Sequence, residues 1–288
     1  MPKHISKEQK ENIIEYYLSK PMTVASLAEK FKICIPSVIK ILDEYRIKRY
    51  SKVQLYSPDL NEDYFSIIDS PEKAYFLGLI VTDGCLHRSK GKQPLVSITI
   101  QKSDDYILNR FLEEINSKKK VTHDGRGCSQ VSILSQKMVD SLKKYGVNER
   151  KSLCTVFPKN LPAEFHGHFI RGVFDGDGSA SYYSRKGRKA HTKAVRFCQG
   201  NNQFLIDLMD CLHENAGVKT VSLYREKESL WSIAYRSNES LLKVIEYMYE
   251  DASIYIKRKK ELCDLIVEEI NKYGNTEITA VGKTKAAS

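Results

Sequence analysis

The sequence predicts an α+β fold in which two pseudo-symmetric αββαββα halves follow a small all-α unit. A nine-residue pattern occurs twice, as FLGLIVTDG at 76–84 and IRGVFDGDG at 170–178. Each copy has Gly third, an apolar pair next and Asp-Gly at its end. The closing acids, Asp83 and Asp177, stand 94 residues apart, the spacing of a duplicated domain-sized unit. Each copy leads into a stretch of strand character, and the first fifty residues instead carry three short stripes of helical period. The boundaries read as 1–50 for the helical unit, 51–69 for a linker, 70–160 and 161–271 for the halves, and 272–288 for a flexible tail.

In the helical unit, residues 6–18 place Ile13, Ile14, Tyr17 and Leu18 on one face. Thr23 caps a second helix with Val24, Leu27, Ala28 and Phe31 on its apolar stripe. Pro36 opens a third, with Val38, Ile41, Leu42 and Tyr45 inward and Ser37, Lys40 and Glu44 outward. Two short helices about a tight turn look like a helix-turn-helix, although Lys32–Ile33 stands where a turn glycine is usual. Residues 1–52 carry 11 Lys and Arg against 6 Asp and Glu. On a DNA-binding reading the third helix enters the major groove, with Ser37 and Lys40 nearest it. The basic linker after it would add phosphate contacts.

The halves begin on helices. Ser70 is an N-cap and Pro71 a first helical residue; Pro162 starts the second helix likewise. Gly84 and Gly178 are expected to end these helices in the left-handed conformation. Each closing Asp then lies in a last turn, where the helix is already partly negative. Gly78 and Thr82 in one helix, and Gly172 and Gly176 in the other, recur at i, i+4, which lets two backbones approach closely. Side-by-side packing would bring Asp83 and Asp177 together at one end. Two carboxylates there repel unless a divalent cation or a positive partner lies between them.

After the first motif, Val96, Ile98 and Ile100 alternate with Ser97, Thr99 and Gln101, the mark of a half-buried strand. A helix over 104–115, a hairpin at Asp124–Gly125 and a helix capped by Ser135 complete the half. The second half repeats the order: Asn201 starts a helix to about Ala216, 218–226 pairs with 230–237, and two helices follow. Neither 85–103 nor 179–206 contains an acid. The basic residues there include Arg88, Lys90 and Lys92, then Arg185, Lys186, Arg188, Lys189, Lys193 and Arg196. A merely solvated face would mix signs, whereas a one-signed face suits a polyanion.

Composition agrees. The net charge is +10 and the isoelectric point about 9.1. With 41% apolar and 28% charged residues the chain is globular rather than disordered. No run approaches the roughly 18 apolar residues of a membrane span, and MPKHISKEQK has no signal-peptide core. A cytoplasmic protein without a membrane partner is expected. The seven cysteines are scattered, with no CxxC pair, which argues against zinc and against a disulfide framework.

The two patterns resemble those of the LAGLIDADG homing endonucleases in their single-chain, two-motif form, over roughly residues 70–270. The resemblance implies that the motif helices form a central interface. It also implies that Asp83 and Asp177 bind the catalytic metal, Mg2+ or another divalent cation such as Mn2+. Val81 departs from the acid often found two places before the last, while Asp175 keeps it; in the family that inner acid is not a metal ligand. A basic residue near each metal centre falls at Lys151 and at Lys259, with Lys257 and Lys260 competing for the second place. Its role would be to orient water or stabilise transition-state charge. A glutamine near the end of the second strand falls at Gln101 and, less cleanly, at Gln199. Gln199 shares the parity of Val195 and Phe197 and would need a bulge to turn inward. Ser97, Thr99 and the basic residues named above would line the DNA-binding saddle.

The expected function is a monomeric, site-specific double-strand DNA endonuclease. The alternative on the same scaffold is a non-cleaving DNA-binding transcriptional regulator, or a maturase whose partner is intron RNA. Retention of both Asp83 and Asp177 favours the nuclease.

Overall fold

A computed structural model describes residues 5–50, 59–88, 93–149, 155–184 and 191–284, with side chains described as far as Lys272. The chain divides into two compact units, Met1–Asn61 with Glu113–Lys118, and Glu62–Leu112 with Lys119–Ser288.

In the first unit, helices α1 (Lys7–Ser19), α2 (Val24–Phe31) and α3 (Ile35–Glu44) enclose Ile13, Ile14, Tyr17, Leu27, Ala28, Val38, Ile41 and Leu42. Ser6 and Gln9 form a reciprocal capping box, and Thr23 Oγ1 accepts from Ser26 N at 3.0 Å. Leu18 departs from expectation and is 55% exposed. The buried arc of α1 closes at Tyr17, whose ring meets Tyr50 at 4.8 Å. Lys32 takes the turn glycine's place with φ +51°, at a steric cost of about 1–2 kcal/mol. Ser37 is half-buried, its Oγ 3.1 Å from Cys34 Sγ, whereas Lys40 is exposed.

From Pro71 onward one order of elements occurs twice. The first copy is α4 (Pro71–Asp83), β1 (Gly84–His87), β2 (Leu95–Gln101), α5 (Tyr106–Glu114), β3 (Thr122–His123), β4 (Cys128–Leu134) and α6 (Gln136–Lys144). The second is α7 (His166–Asp177), β5 (Ser179–Tyr183), β6 (Thr192–Gln199), α8 (Asn202–Ala216), β7 (Tyr224–Lys227), β8 (Leu230–Tyr235) and α9 (Asn238–Tyr249). The sheets are antiparallel, in the matching orders β1-β2-β4-β3 and β5-β6-β8-β7. A further helix, α10 (Lys257–Thr284), closes the chain.

The local signals read from the sequence act as expected. Ser70 Oγ accepts from Lys73 N at 3.3 Å and Ser135 Oγ from Met138 N at 3.1 Å. Asp124 Oδ1 accepts from Arg126 N and Cys128 N at 2.8 and 3.0 Å, and Gly125 and Gly127 take φ of +72° and +90° to turn the hairpin. Four boundaries differ. The strand expected over 218–226 forms only at Tyr224–Lys227, and Pro162 precedes a short 3-10 turn, Ala163–Phe165, so that the second motif helix begins at His166. Residues 51–58 of the expected linker lie outside the described residues, but Tyr64, Phe65 and Ile68 are core, at most 2% exposed, because aromatic and branched side chains bury wherever an apolar surface receives them. The expected tail from 272 begins as helix, since α10 runs to Thr284.

The motif helices α4 and α7 touch backbone to backbone. A Cβ on Gly78 would collide with Phe169 O and stand 2.9 Å from Val173 N; one on Gly172 would collide with Tyr75 O and stand 2.9 Å from Leu79 N. Gly176 is pressed against Thr82. Gly84 and Gly178 correct the expectation of left-handed caps: their φ values are −82° and −86°, and the chain passes straight from helix into strand. Glycine is needed there for space, since a Cβ would lie 2.5 Å from Ile80 O or 2.6 Å from Phe174 O.

Gly172→Ala should therefore destabilise the protein by about 3 kcal/mol, the upper end for overpacking, because the obstacle is main chain and cannot rotate away. Urea denaturation measures this; an unchanged midpoint would contradict the backbone contact.

Candidate active site

Asp83 and Asp177 are the last residues of α4 and α7. Asp83 is half-buried and Asp177 exposed. The contact of Gly176 with Thr82, the residues just before the two acids, sets the helix ends side by side, and both carboxylates favour the charged form of Lys259.

Lys259, in the first turn of α10, is 6% exposed. Its Nζ donates to Phe174 O at 2.8 Å, Asp175 O at 2.7 Å, Gly176 O at 3.2 Å and Gly178 O at 2.7 Å. It thus caps the C-terminus of the motif helix that carries Asp177, placing a cation where the helix dipole favours one. Burial lowers its proton affinity, while Asp175, Asp83 and Asp177 raise it. The competing lysines point elsewhere: Lys257 lies over the Tyr106 ring at 5.0 Å and Lys260 pairs with Asp264. Lys151 lies outside the described residues. Next to Lys259, Arg258 binds Asp104 through Nε at 3.0 Å and Nη2 at 2.9 Å, joining α10 to the turn after β2.

The inner acid is structural. Asp175 is 1% exposed, and its Oδ2 accepts from Tyr75 OH at 2.9 Å and Ile256 N at 2.8 Å. Burial pushes its carboxyl up to about 6, opposed by those two hydrogen bonds and by Lys259 and Arg171. Arg171, fully buried one turn earlier, donates Nε to Ile254 O at 2.9 Å and Nη1 to Met248 O at 2.7 Å. Val81 and Leu77 hold the equivalent places in α4, so this polar cluster belongs to the second half alone.

The two glutamines are not equivalent. Gly84 pairs with Ile98, and Ser179 pairs with Arg196, so Gly178 stands opposite Phe197. Counted from those glycines, Gln101 corresponds to Gly200, and Gln199 to Ile100. Gln101 is exposed on the polar face of its sheet. The ladder of β6 with β8 is regular through Gln199–Trp231, so the expected bulge is absent. Gln199 is 6% exposed and accepts from Gly200 N at 2.8 Å, yet at the strand end it lines one cleft with Val81, Thr82, Asp177 and Cys198.

The polar sheet faces divide the remaining candidates. Thr99 is exposed and accepts from Gln130 Nε2 at 3.1 Å; Gln130 and Thr122 share its face and are additions to the sequence reading, Gln130 being visible in the alternation of 128–134. Ser97 is only 8% exposed, its Oγ donating to Cys85 O at 3.4 Å. Arg88 is exposed beyond β1, with Nη2 3.2 Å from Gln136 Oε1. In the second sheet Arg196 lies on the polar face, paired with Glu226 at 3.0 Å. Lys193 is corrected: it has the parity of Val195 and Phe197, faces the helices, and binds Glu269 of α10 at 3.3 Å with its side chain 11% exposed. Tyr182 shares that carboxylate at 2.6 Å. Lys90, Lys92, Arg185, Lys186, Arg188 and Lys189 lie outside the described residues.

The donor set at the helix ends is oxygen only, two carboxylates with neighbouring backbone carbonyls, and among the described residues no group of three His, Cys, Asp or Glu forms a closed metal cage. That set fits a hard divalent cation that takes its other ligands from water and phosphate.

Lys259→Met leaves the carbonyls at the end of α7 without their donor and should cost about 3 kcal/mol in urea denaturation. Wild-type stability in that variant would mean that the ammonium does not hold the helix end. Asp175 gives a pH signature. Its affinity for a proton is higher folded than unfolded, so the native state holds the extra proton between about pH 4 and 6, and stability falls as pH rises through that window. Asp175→Asn should therefore gain about 2 kcal/mol relative to wild type between pH 4.5 and 7.5. A pH-independent difference would contradict the buried carboxyl.

Residues 164–249 match the family model described as a LAGLIDADG-like domain. The fold is similar to that of LAGLIDADG meganuclease I-AabMI bound to uncleaved DNA, at 13% identity and TM-score 0.52, covering 71% of this chain and 92% of that one. It is similar to meganuclease I-SmaMI bound to uncleavable DNA (14%, 0.50, 73% and 96%) and to the I-LtrWI homing endonuclease bound to target DNA (13%, 0.50, 74% and 92%). In sequence the chain is 20% identical over 208 residues to DNA-directed RNA polymerase subunit Rpo1C of Methanocaldococcus jannaschii, covering 68% of this chain and about a fifth of that subunit's length. Residues 164–249 are thus a LAGLIDADG-like domain, and the duplicated part of this chain carries the LAGLIDADG fold.

Proposed function

We propose that this chain is a site-specific double-strand DNA endonuclease that depends on a divalent cation, Mg2+ or Mn2+. The observation that carries the reading is the pair of acids, Asp83 and Asp177, at the adjoining ends of two helices in backbone contact. Asp83 and Asp177 would hold the cation through carboxylate oxygens. A bound divalent ion supplies charge neutralisation of the scissile phosphate and an acidified water. Lys259 fixes the helix end that presents Asp177 and keeps positive charge beneath both acids. Gln199, in the cleft with Asp177, offers its side-chain amide to solvent structure or to the sugar-phosphate backbone. The exposed faces of the two sheets, with Thr99, Gln101, Gln130 and Arg196, would contact the duplex, Arg88 adding a phosphate contact at the rim.

Duplex DNA is the proposed partner and a monomer the proposed active species, since one chain already carries both acids. The three-helix unit would add contacts through Lys40 and its neighbours.

In Asp83→Asn and Asp177→Asn, singly and together, metal-dependent cleavage of a selected target should fall at least 1000-fold. Duplex affinity measured in EDTA should stay within about threefold of wild type, because an interaction made only in the transition state leaves binding unchanged. Cleavage that survives the double substitution would exclude these acids as the catalytic centre. Specific binding by wild type without any break would favour the regulator.

A further inference from the structure

The eight described strands contain a single acidic residue, Glu226 of β7. It lies on the exposed face of the second sheet. Arg196 on that face is the cross-strand neighbour of Ser179 and Ala234, while Val195 and Phe197 on the opposite face are fully buried. Glu226 Oε1 is held from two sides, accepting from Ser232 Oγ at 2.6 Å and pairing with Arg196 Nη2 at 3.0 Å. The Glu226 side chain is 32% exposed and that of Arg196 40%. Tyr224, Arg225, Ala234 and Arg236 complete a shallow depression around the pair.

A carboxylate on a face meant for a polyanion weakens sequence-independent binding, since it repels phosphate. The ladder of β7 with β8 passes over it, since the register shifts between Arg225 and Lys227, and an exposed ion pair contributes little stability. What a fixed carboxylate does offer a duplex is an acceptor for an amino group on a base edge, and in the major groove cytosine N4 is such a donor. Its partner Arg196 supplies the complementary pattern. A guanidinium has five N–H donors, and the contact with Glu226 engages one nitrogen. The remaining donors match the two acceptors of guanine, O6 and N7.

We propose that Arg196 and Glu226 together read one guanine–cytosine pair of the target, Arg196 donating to guanine O6 and N7 and Glu226 accepting from cytosine N4, with Ser232 holding the carboxylate in register. The proposal rests on the reading of the exposed sheet faces as the DNA interface.

The test is selection of bound duplexes from a randomised double-stranded library by the full-length chain in EDTA, wild type beside Glu226→Gln and Ser232→Ala, each confirmed as folded by its melting curve. Wild type should fix a G·C pair at one position with about tenfold or greater preference over the other pairs. In Glu226→Gln that preference should fall toward parity at this position only. Affinity of that variant for random duplex should rise, with a salt dependence steeper by about one counterion. Ser232→Ala, which keeps the charge and removes its restraint, should relax the same position in part. Unchanged base preference at every position in both variants would overturn the inference and leave the DNA reading standing, as would a change confined to an A·T pair. Enrichment of no duplex by wild type would overturn both.

Discussion

The main-chain contact between α4 and α7 is the constraint from which the rest of the duplicated fold follows. Because Gly78 and Gly172 put each helix against the other's carbonyls and amides, the two helices cannot slide without a clash, and their ends are held in fixed relation. Each helix leads without a loop into the first strand of its own sheet, through Gly84 and Gly178. The contact therefore sets the relation of the two sheets as well as that of the two acids.

Holding two acids at two helix C-termini creates an electrostatic problem, and among the described residues Lys259 meets it at the end of α7. Lys259 places an ammonium on the carbonyls at the end of α7, where both carboxylates favour its charged form. The second motif helix is also the more polar of the two, with Asp175 and Arg171 buried where α4 has Val81 and Leu77, and Tyr75 of α4 donates across to Asp175. A buried, partly compensated carboxyl is expensive. Its bonds to Tyr75 of α4 and to Ile256 at the start of α10 tie three segments together at the base of the site.

Most of the architecture was legible because its signals are local. The repeated motif, the Ser70, Ser135 and Asn201 caps, and the alternation of 95–101 each act within a few residues. The positions of the paired acids followed from helix geometry plus the small residues at i, i+4. What was not legible depended on partners distant in sequence. Lys259 was named for charge near the acids, but the four carbonyls it binds lie 81 to 85 residues earlier, so its role as a helix cap could not be read from spacing. Lys193 was assigned to the wrong face although its parity with Val195 and Phe197 was visible, and the carboxylate that binds it comes from α10. Gln101 and Gln199 look alike in the sequence but differ by one residue in register, which turns them to opposite faces of their sheets. Gly84 and Gly178 were read as conformational glycines when the obstacle is the preceding helical turn.

The most direct measurement is to expose a pooled duplex library to the full-length chain with and without Mg2+ and to map every new end. Paired breaks at one discrete site, present only with the cation, are the result predicted by two acids held at one end of a rigid helix pair. Random nicking, or a bound site that stays intact with Mg2+ and with Mn2+, would contradict it.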